Sequence, residues 1–259
     1  MLGWRALKIE LERWRRQGRR PRLWWRDDDA RAPGPQLRRL LVHATRADVP
    51  LCLAVIPYGL DPDLCAAVAP YVRVTILQHG FDHLNKAGAA PSEFSPTDAP
   101  EQVAARLADG WARLDGFERR LPVYVPPWNS LTPNVEAALV LCGNRAVSAW
   151  SQLSSPGRVD THVDLMRWRG DPRFAGRERV LARLTAQLHL RRRFGAWEEP
   201  VGLLTHHLVH DEDAWRFLDD LLLFPPLQAD AEWPDAAALF GVSNTFAKAG
   251  PAPIQGVFG

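Results

Sequence analysis

Short apolar runs bounded by breakers alternate with helix-period segments along most of the chain, and this alternation limits the possible folds more than any other feature. Runs at 22–26, 51–56, 72–77, 122–125, 145–149, 163–167 and 201–205 have the length and flanking residues of buried strands. Helical patterns fall at 36–46, 62–69, 99–120, 133–141, 177–191 and 212–223, the last with Asp211 placed as its N-cap. Strands separated by helices predict a parallel sheet in an α/β domain. About seven such units without a repeat or a linker favour one barrel, over 21–240, rather than two domains. The Pro- and Gly-rich stretch 87–100 reads as a long loop over the C-terminal edge of the sheet, and 241–259 as an irregular tail.

Composition removes several classes of answer. With 259 residues, 46% of them hydrophobic and 24% charged, the chain can bury a full core and does not read as disordered. No apolar run reaches the ~18–20 residues needed to span a bilayer. Cys52, Cys65 and Cys142 are too few and too scattered for a disulfide framework or a thiolate metal site. The opening lacks an apolar segment followed by small residues, so the expectation is a cytoplasmic protein.

Charge is unevenly placed: residues 1–26 hold nine basic side chains against two acidic ones. Only three of the 32 basic residues are lysine, a compositional bias that keeps arginine content alone from signifying phosphate ligands. Within 1–20, Trp4, Leu7, Leu11 and Trp14 share one helical face. A stripe at that spacing predicts a helix packed on the barrel with its arginines in water, in preference to one lying on a membrane or on nucleic acid. Neither of those partners is expected.

Polar residues gather where strands end, which is where α/β folds place their chemistry. The first run leads into Asp27, Asp28 and Asp29, whose mutual repulsion calls for a cation or for dispersal in a solvated turn. The third leads into His79-Gly80-Phe81-Asp82-His83, where two imidazoles four apart are able to share a metal and Asp82 is placed to orient one of them. Two His and one Asp suit Zn²⁺, Fe²⁺ or Co²⁺. The fourth run ends in a stiff Pro126-Pro127-Trp128-Asn129 loop, a candidate substrate wall. The last ends in His206 and His207, with His210 close behind, candidates for a general acid or for further ligands.

In this order, Asp-Asp after strand one, His-x-x-x-His after strand three, a Pro-Pro-aromatic loop and Leu-x-His on the last strand, the sequence resembles the polysaccharide deacetylases of the NodB-homology, carbohydrate esterase 4 type. The resemblance spans roughly residues 22–215. It implies a distorted (β/α)7 barrel and a bacterial, metal-dependent hydrolase acting on N-acetylated sugars. By that resemblance Asp28 is the general base, and Asp29, His79 and His83 bind the metal, with zinc first and cobalt or iron as alternatives. His206 is the acid, and Pro127, Trp128 and Asn129 line the substrate site. A register one residue earlier gives Asp27 and Asp28, and His207 competes with His206. Val125 stands where the family's third motif carries an arginine that orients the catalytic aspartate; Arg26 is a candidate for that work. The fourth motif, an acidic and aromatic cluster that orients the histidine, has no clear match near Ser148–Trp150.

The leading reading is therefore a hydrolase that removes an acyl, chiefly acetyl, group from an N-acylated sugar or related small amide. A metal-independent cyclic-amide hydrolase and a non-catalytic carbohydrate-binding protein are the alternatives. Triad chemistry is disfavoured, because no Gly-x-Ser-x-Gly occurs and no cysteine has a histidine close in the pattern.

Overall fold

A computed structural model describes residues 2–88, 90–143, 146–152 and 158–242. Helix α1 (Leu2–Arg16) leads into β1 (Leu23–Ala30), α2 (Pro35–Ala47), β2 (Leu51–Val55), α3 (Asp63–Val68) and β3 (Val74–His79). Then follow α4 (Pro100–Arg113), β4 (Arg120–Val125), α5 (Pro133–Leu141), β5 (Ala146–Val147) and β6 (Val163–Asp164). The chain continues through β7 (Met166–Arg167), β8 (Arg173–Phe174), α6 (Arg177–Phe194), β9 (Val201–Thr205), α7 (Glu212–Leu222), α8 (Pro225–Asp230) and α9 (Ala236–Phe240). Asp211 caps α7, accepting from the amide of Ala214 at 2.7 Å.

Seven strands form one sheet in the order β5-β4-β3-β2-β1-β9-β6, every pair parallel. Its two edges meet. Residues just past β5 bond to the segment that enters β6: the amide of Thr161 donates to Ala149 O at 2.9 Å, and that of Ser151 to Thr161 O at 3.0 Å. The curled sheet is the distorted (β/α)7 barrel expected from the sequence. Parallel strands are buried on both faces, and alternate residues divide accordingly. On β1, Leu23 and Trp25 join the outer core beneath the helices, while Trp24 points inward with Cys52, Ala54 and Leu77. The interior is narrow: a Cβ at Gly202 would lie 2.5 Å from Trp24 Nε1, so β9 passes the indole only as glycine.

Beyond shifted ends and the unforeseen β8, α8 and α9, three expected elements change character or extent. The run at 22–26 continues as strand to Ala30, because burial and pairing override the poor strand preference of aspartate. The run at 163–167 breaks at Leu165 into β6 and β7, and β7 turns away to pair antiparallel with β8. The pattern at 99–120 yields a helix only to Arg113, after which a turn leads into β4. Most of the expected tail, 243–259, lies outside the described residues.

Helix α1 lies on the barrel's outer layer. Leu7, Leu11 and Trp14 are fully buried, and Trp14 Nε1 donates to Leu188 O of α6 at 3.2 Å. Trp4 is half-buried, its ring 4.7 Å from that of Phe224. The apolar stripe does not reveal Glu10, which is also buried, with Arg192 Nε 2.5 Å and Arg13 Nη1 3.2 Å away. Arg5, Arg15 and Arg16 face solvent. No helix among the described residues is long and apolar enough to cross a membrane. Leu11→Ala should lower the unfolding free energy by ~2–5 kcal/mol in urea titrations, as for other fully buried leucines. A change below ~0.5 kcal/mol would mean that α1 is not held on the barrel in solution.

Candidate active site

The C-terminal end of β1 sets the geometry. In a regular strand Asp29 would share a face with Asp27, opposite Asp28. Pairing with β2 slips instead: Asp27 faces Leu53 and Ala30 faces Val55, so β1 carries one extra residue. Asp29 takes up this bulge with φ 73°, a left-handed conformation uncommon outside glycine. Asp27 and Ala30 thus stay on the outer face, while Asp28 and Asp29 both open onto the inner one.

The three carboxylates have separate partners. Asp27 is fully buried and accepts from Thr205 Oγ1 at 2.6 Å and from the amide of His207 at 3.0 Å, with the His207 ring against its other oxygen. Burial works against ionising Asp27, yet the charge and hydrogen bonds of His207 outweigh it and hold the carboxyl below its usual range. Asp28 meets Arg26, the residue two before it on the same face. Nη2 donates to Oδ2 at 2.9 Å, and Nε lies 2.8 Å from Oδ1. Arg26 is wholly buried, and it also reaches Ser148 Oγ at 2.7 Å, Ser148 O at 2.8 Å and Asn129 Oδ1 at 2.8 Å.

Asp29 Oδ1 lies 3.0 Å from His79 Nε2 and 3.3 Å from His83 Nε2. Donors ~2.0–2.2 Å from a shared ion are ~3–3.5 Å apart, so this spacing suits one metal. His79 Nδ1 is 3.0 Å from Val125 O and donates its proton there, leaving an Nε2 lone pair aimed at a carboxylate oxygen. Two acceptors so placed need a cation between them, either a proton or a metal. Two imidazole nitrogens and one carboxylate oxygen, open on the cleft side, fit a borderline-soft divalent ion. The electrostatics agree. Burial disfavours charge on His79, but Asp28 and Asp29 outweigh it and raise its pKa. Burial likewise opposes charge on Asp29, and the hydrogen bond and charge of His79 overcome it to depress the carboxyl.

The His83 backbone is left-handed at φ 58°, and a buried carboxylate holds it so. Glu93 accepts from the consecutive amides of Phe81, Asp82 and His83 at 2.8, 2.6 and 2.6 Å. The fit excludes any side chain at Gly80, whose Cβ would come 2.5 Å from Pro127 and 2.6 Å from Glu93. Asp82 does not orient an imidazole as expected. It pairs with Lys86 at 2.8 Å and Arg106 at 2.5 Å, because the turn directs it outward to α4 and the following loop.

His206, one residue past β9, points inward with Nε2 4.0 Å from Asp28 Oδ2, while His207 points outward to Asp27. Beside His206 stand two residues that the sequence reading missed. Trp168 meets its ring edge-on at 4.5 Å, and Asp164 accepts from Trp168 Nε1 at 2.7 Å and from the amide of Met166 at 2.8 Å. They are an acidic and aromatic cluster next to the histidine, four residues apart where the single run at 163–167 was expected. Trp128 and Asn129 line the cleft, with the Trp128 ring 4.4 Å from that of His83, whereas Pro127 is buried beneath it. The whole cleft is about 1020 Å³, ample for a sugar.

No protein-family model matches the chain, and no curated protein is significantly similar to it. Solved structures are similar. A peptidoglycan N-acetylglucosamine deacetylase aligns with TM-score 0.57 at 14% identity, over 87% of this chain and 90% of that one. A family 4 acetyl xylan esterase from Clostridium thermocellum, in complex with a cobalt ion, aligns with TM-score 0.52 at 16% identity, over 88% of this chain and 96% of the other. The chain has the polysaccharide-deacetylase fold. A pseudoenzyme of carbohydrate esterase family 4 shares it too, with TM-score 0.54 at 13% identity over 86% of this chain and 67% of that one. On this deacetylase fold the arginine contacting Asp28 comes from β1 itself. Val125, at the end of β4, buries its side chain inside the barrel and uses its carbonyl to hold His79.

Arg26→Met should cost ~3–5 kcal/mol of stability in denaturant unfolding, since it strands the buried Asp28 carboxylate. Adding Asp28→Asn should recover part of that loss. If the double variant is no more stable than Arg26→Met alone, the two side chains do not act as a pair.

Proposed function

We propose that this cleft is the active site of a divalent-metal hydrolase that removes an acyl group, chiefly acetyl, from an N-acylated sugar or related small amide. The observation that carries this reading is the convergence of the Asp29, His79 and His83 donors within 4.8 Å of one another, beside Asp28 and His206 in one cleft. A metal held there, zinc by preference with cobalt or iron as alternatives, polarises the amide carbonyl and acidifies water. The cobalt ion in the acetyl xylan esterase supports a divalent ion as the partner of this fold.

The side chains divide the remaining work. Asp28 takes the proton of the attacking water, with Arg26 and its bonds to Ser148 and Asn129 fixing the direction of the carboxylate. The water oxygen bonds to the amide carbon, and the C–N bond then breaks as His206, its Nε2 4.0 Å from Asp28 Oδ2, delivers a proton to the departing amine. Asp164 and Trp168 restrict the His206 ring to that position. Trp128 and Asn129 form the wall against which the sugar rests. Asp27 and His207 stay outside this chemistry, buried together beneath β1 and β9.

Two variants test the assignment. Asp28→Asn should bind metal as the wild type does, by elemental analysis, yet lose acetate release from N-acetylated sugars by ~10²-fold or more, because an amide is no proton acceptor. His83→Ala should lose metal and turnover together. Wild-type activity in Asp28→Asn would remove that residue from the mechanism, and full metal content without turnover in the wild type would favour a non-catalytic binding role.

A further inference from the structure

The wall of the cleft on the His206 side is basic in a way that the hydrolytic groups leave unexplained. Arg167 of β7, Arg169 just beyond it, and Arg179 and Arg183 of α6 all line the same cleft as Asp29 and His79. Among the described residues none of the four makes an ion pair or a side-chain hydrogen bond. Several arginines elsewhere are paired, Arg39 with Glu212, Arg106 with Asp82 and Arg113 with Asp109, and the unpaired ones such as Arg15, Arg16 and Arg38 lie outside this cleft. The Nε of Arg167 is buried without a partner, and so is the indole nitrogen of Trp150, another lining residue.

Folding gains nothing from this arrangement. Arg179 and Arg183 are like charges at i and i+4, which disfavours the helix. Arg179 also sits in the first turn of an 18-residue helix, where the macrodipole disfavours a cation. Asp28 already has Arg26, and Asp164 already accepts two hydrogen bonds, so neither compensates the four guanidinium groups. Guanidinium forks match the planar or tetrahedral oxygens of carboxylates and phosphates.

We infer that the substrate carries an oxyanion, a phosphoryl or carboxylate group, which Arg167, Arg169, Arg179 and Arg183 receive while the N-acyl group lies at Asp29, His79 and His83. This rests on the hydrolase reading for what happens to the acyl group, but not for recognition of the anion. The exposed faces of Trp128, against His83, and Trp168, against His206, 40% and 47% accessible, offer apolar ground for the sugar body in the same cleft.

Calorimetric titration of the metal-loaded protein tests this without requiring turnover. The probes are N-acetylglucosamine, N-acetylglucosamine 1-phosphate and glucuronic acid, each measured on the wild type and on an Arg179→Gln/Arg183→Gln variant. At least one anionic sugar should bind the wild type about tenfold or more tighter than the neutral one. That preference should shrink with added salt and collapse in the double variant. Preference for the phosphate alone identifies a phosphoryl group, and preference for the uronate alone a carboxylate. Equal binding of charged and neutral sugars overturns the inference. So does a preference undiminished in the double variant, since Arg179 and Arg183 would then take no part in receiving the anion. Selective anion binding without hydrolysis of any N-acyl sugar would instead defeat the hydrolase reading and leave the arginine site standing.

Discussion

Three consecutive carboxylates on a buried strand are the constraint around which this barrel is organised. Two unit charges ~4 Å apart interact by ~4 kcal/mol at an effective dielectric near 20, so three ionised side chains packed on one strand end would oppose folding unless each were countered. The structure separates them by direction and then supplies a different partner for each. Asp27 turns outward to His207 and Thr205, Asp28 turns inward to Arg26, and Asp29 is swung by the bulge toward His79 and His83. Those partners come from β1, β3 and β9 or the residues just past them, so the sheet order β3-β2-β1-β9 is what brings the counter-charges within reach.

Arg26 extends the constraint to the far side of the barrel. From β1 it crosses the interior to the backbone beyond β5, where Ser148 and Ala149 accept its protons. The carbonyl of Ala149 also receives the amide of Thr161, one of the bonds that closes the sheet. The position of the Asp28 carboxylate is therefore tied to barrel closure by one fully buried side chain. An arginine at the end of β4 would approach the carboxylate from a strand three places away in the sheet. An arginine two residues earlier on the same strand is carried to the same face by the period of the strand itself, and this frees Val125 to pack apolar.

The residues legible from sequence were those whose signal is local. Apolar runs mark the cores of β2, β3, β4 and β9 because parallel strands are buried on both faces, and His79 and His83 stand out by their spacing after such a run. The bulge at Asp28 and Asp29 leaves no such mark: nothing in Asp-Asp-Asp says which two share a face, and the answer depends on pairing with Leu53 and Val55. Glu93 lay hidden in a Pro- and Gly-rich loop, since its role exists only where the loop folds back over the amides of 81–83. Asp164 and Trp168 were obscured by a continuous apolar-looking run that the chain interrupts at Leu165 to form a hairpin. The order Asp-x-x-x-Trp starting on the last residue of a short strand was the available signal, and it becomes readable only once His206 is known to be opposite.

The hairpin of β7 and β8 also decides what surrounds Asp28, Asp29, His79 and His206. By leaving the main sheet after Asp164, the chain carries Arg167, Trp168 and Arg169 over the cleft, and α6 then returns past it with Arg179 and Arg183. Had 163–167 continued as one regular strand, Arg167 would share the face of Val163, packed beneath the helices, where an unpaired guanidinium group is not tolerated. Breaking the strand at Leu165 thus does two things at once. It sets Asp164 and Trp168 against His206, and it places the arginines on an open cleft where an unpaired charge stays hydrated.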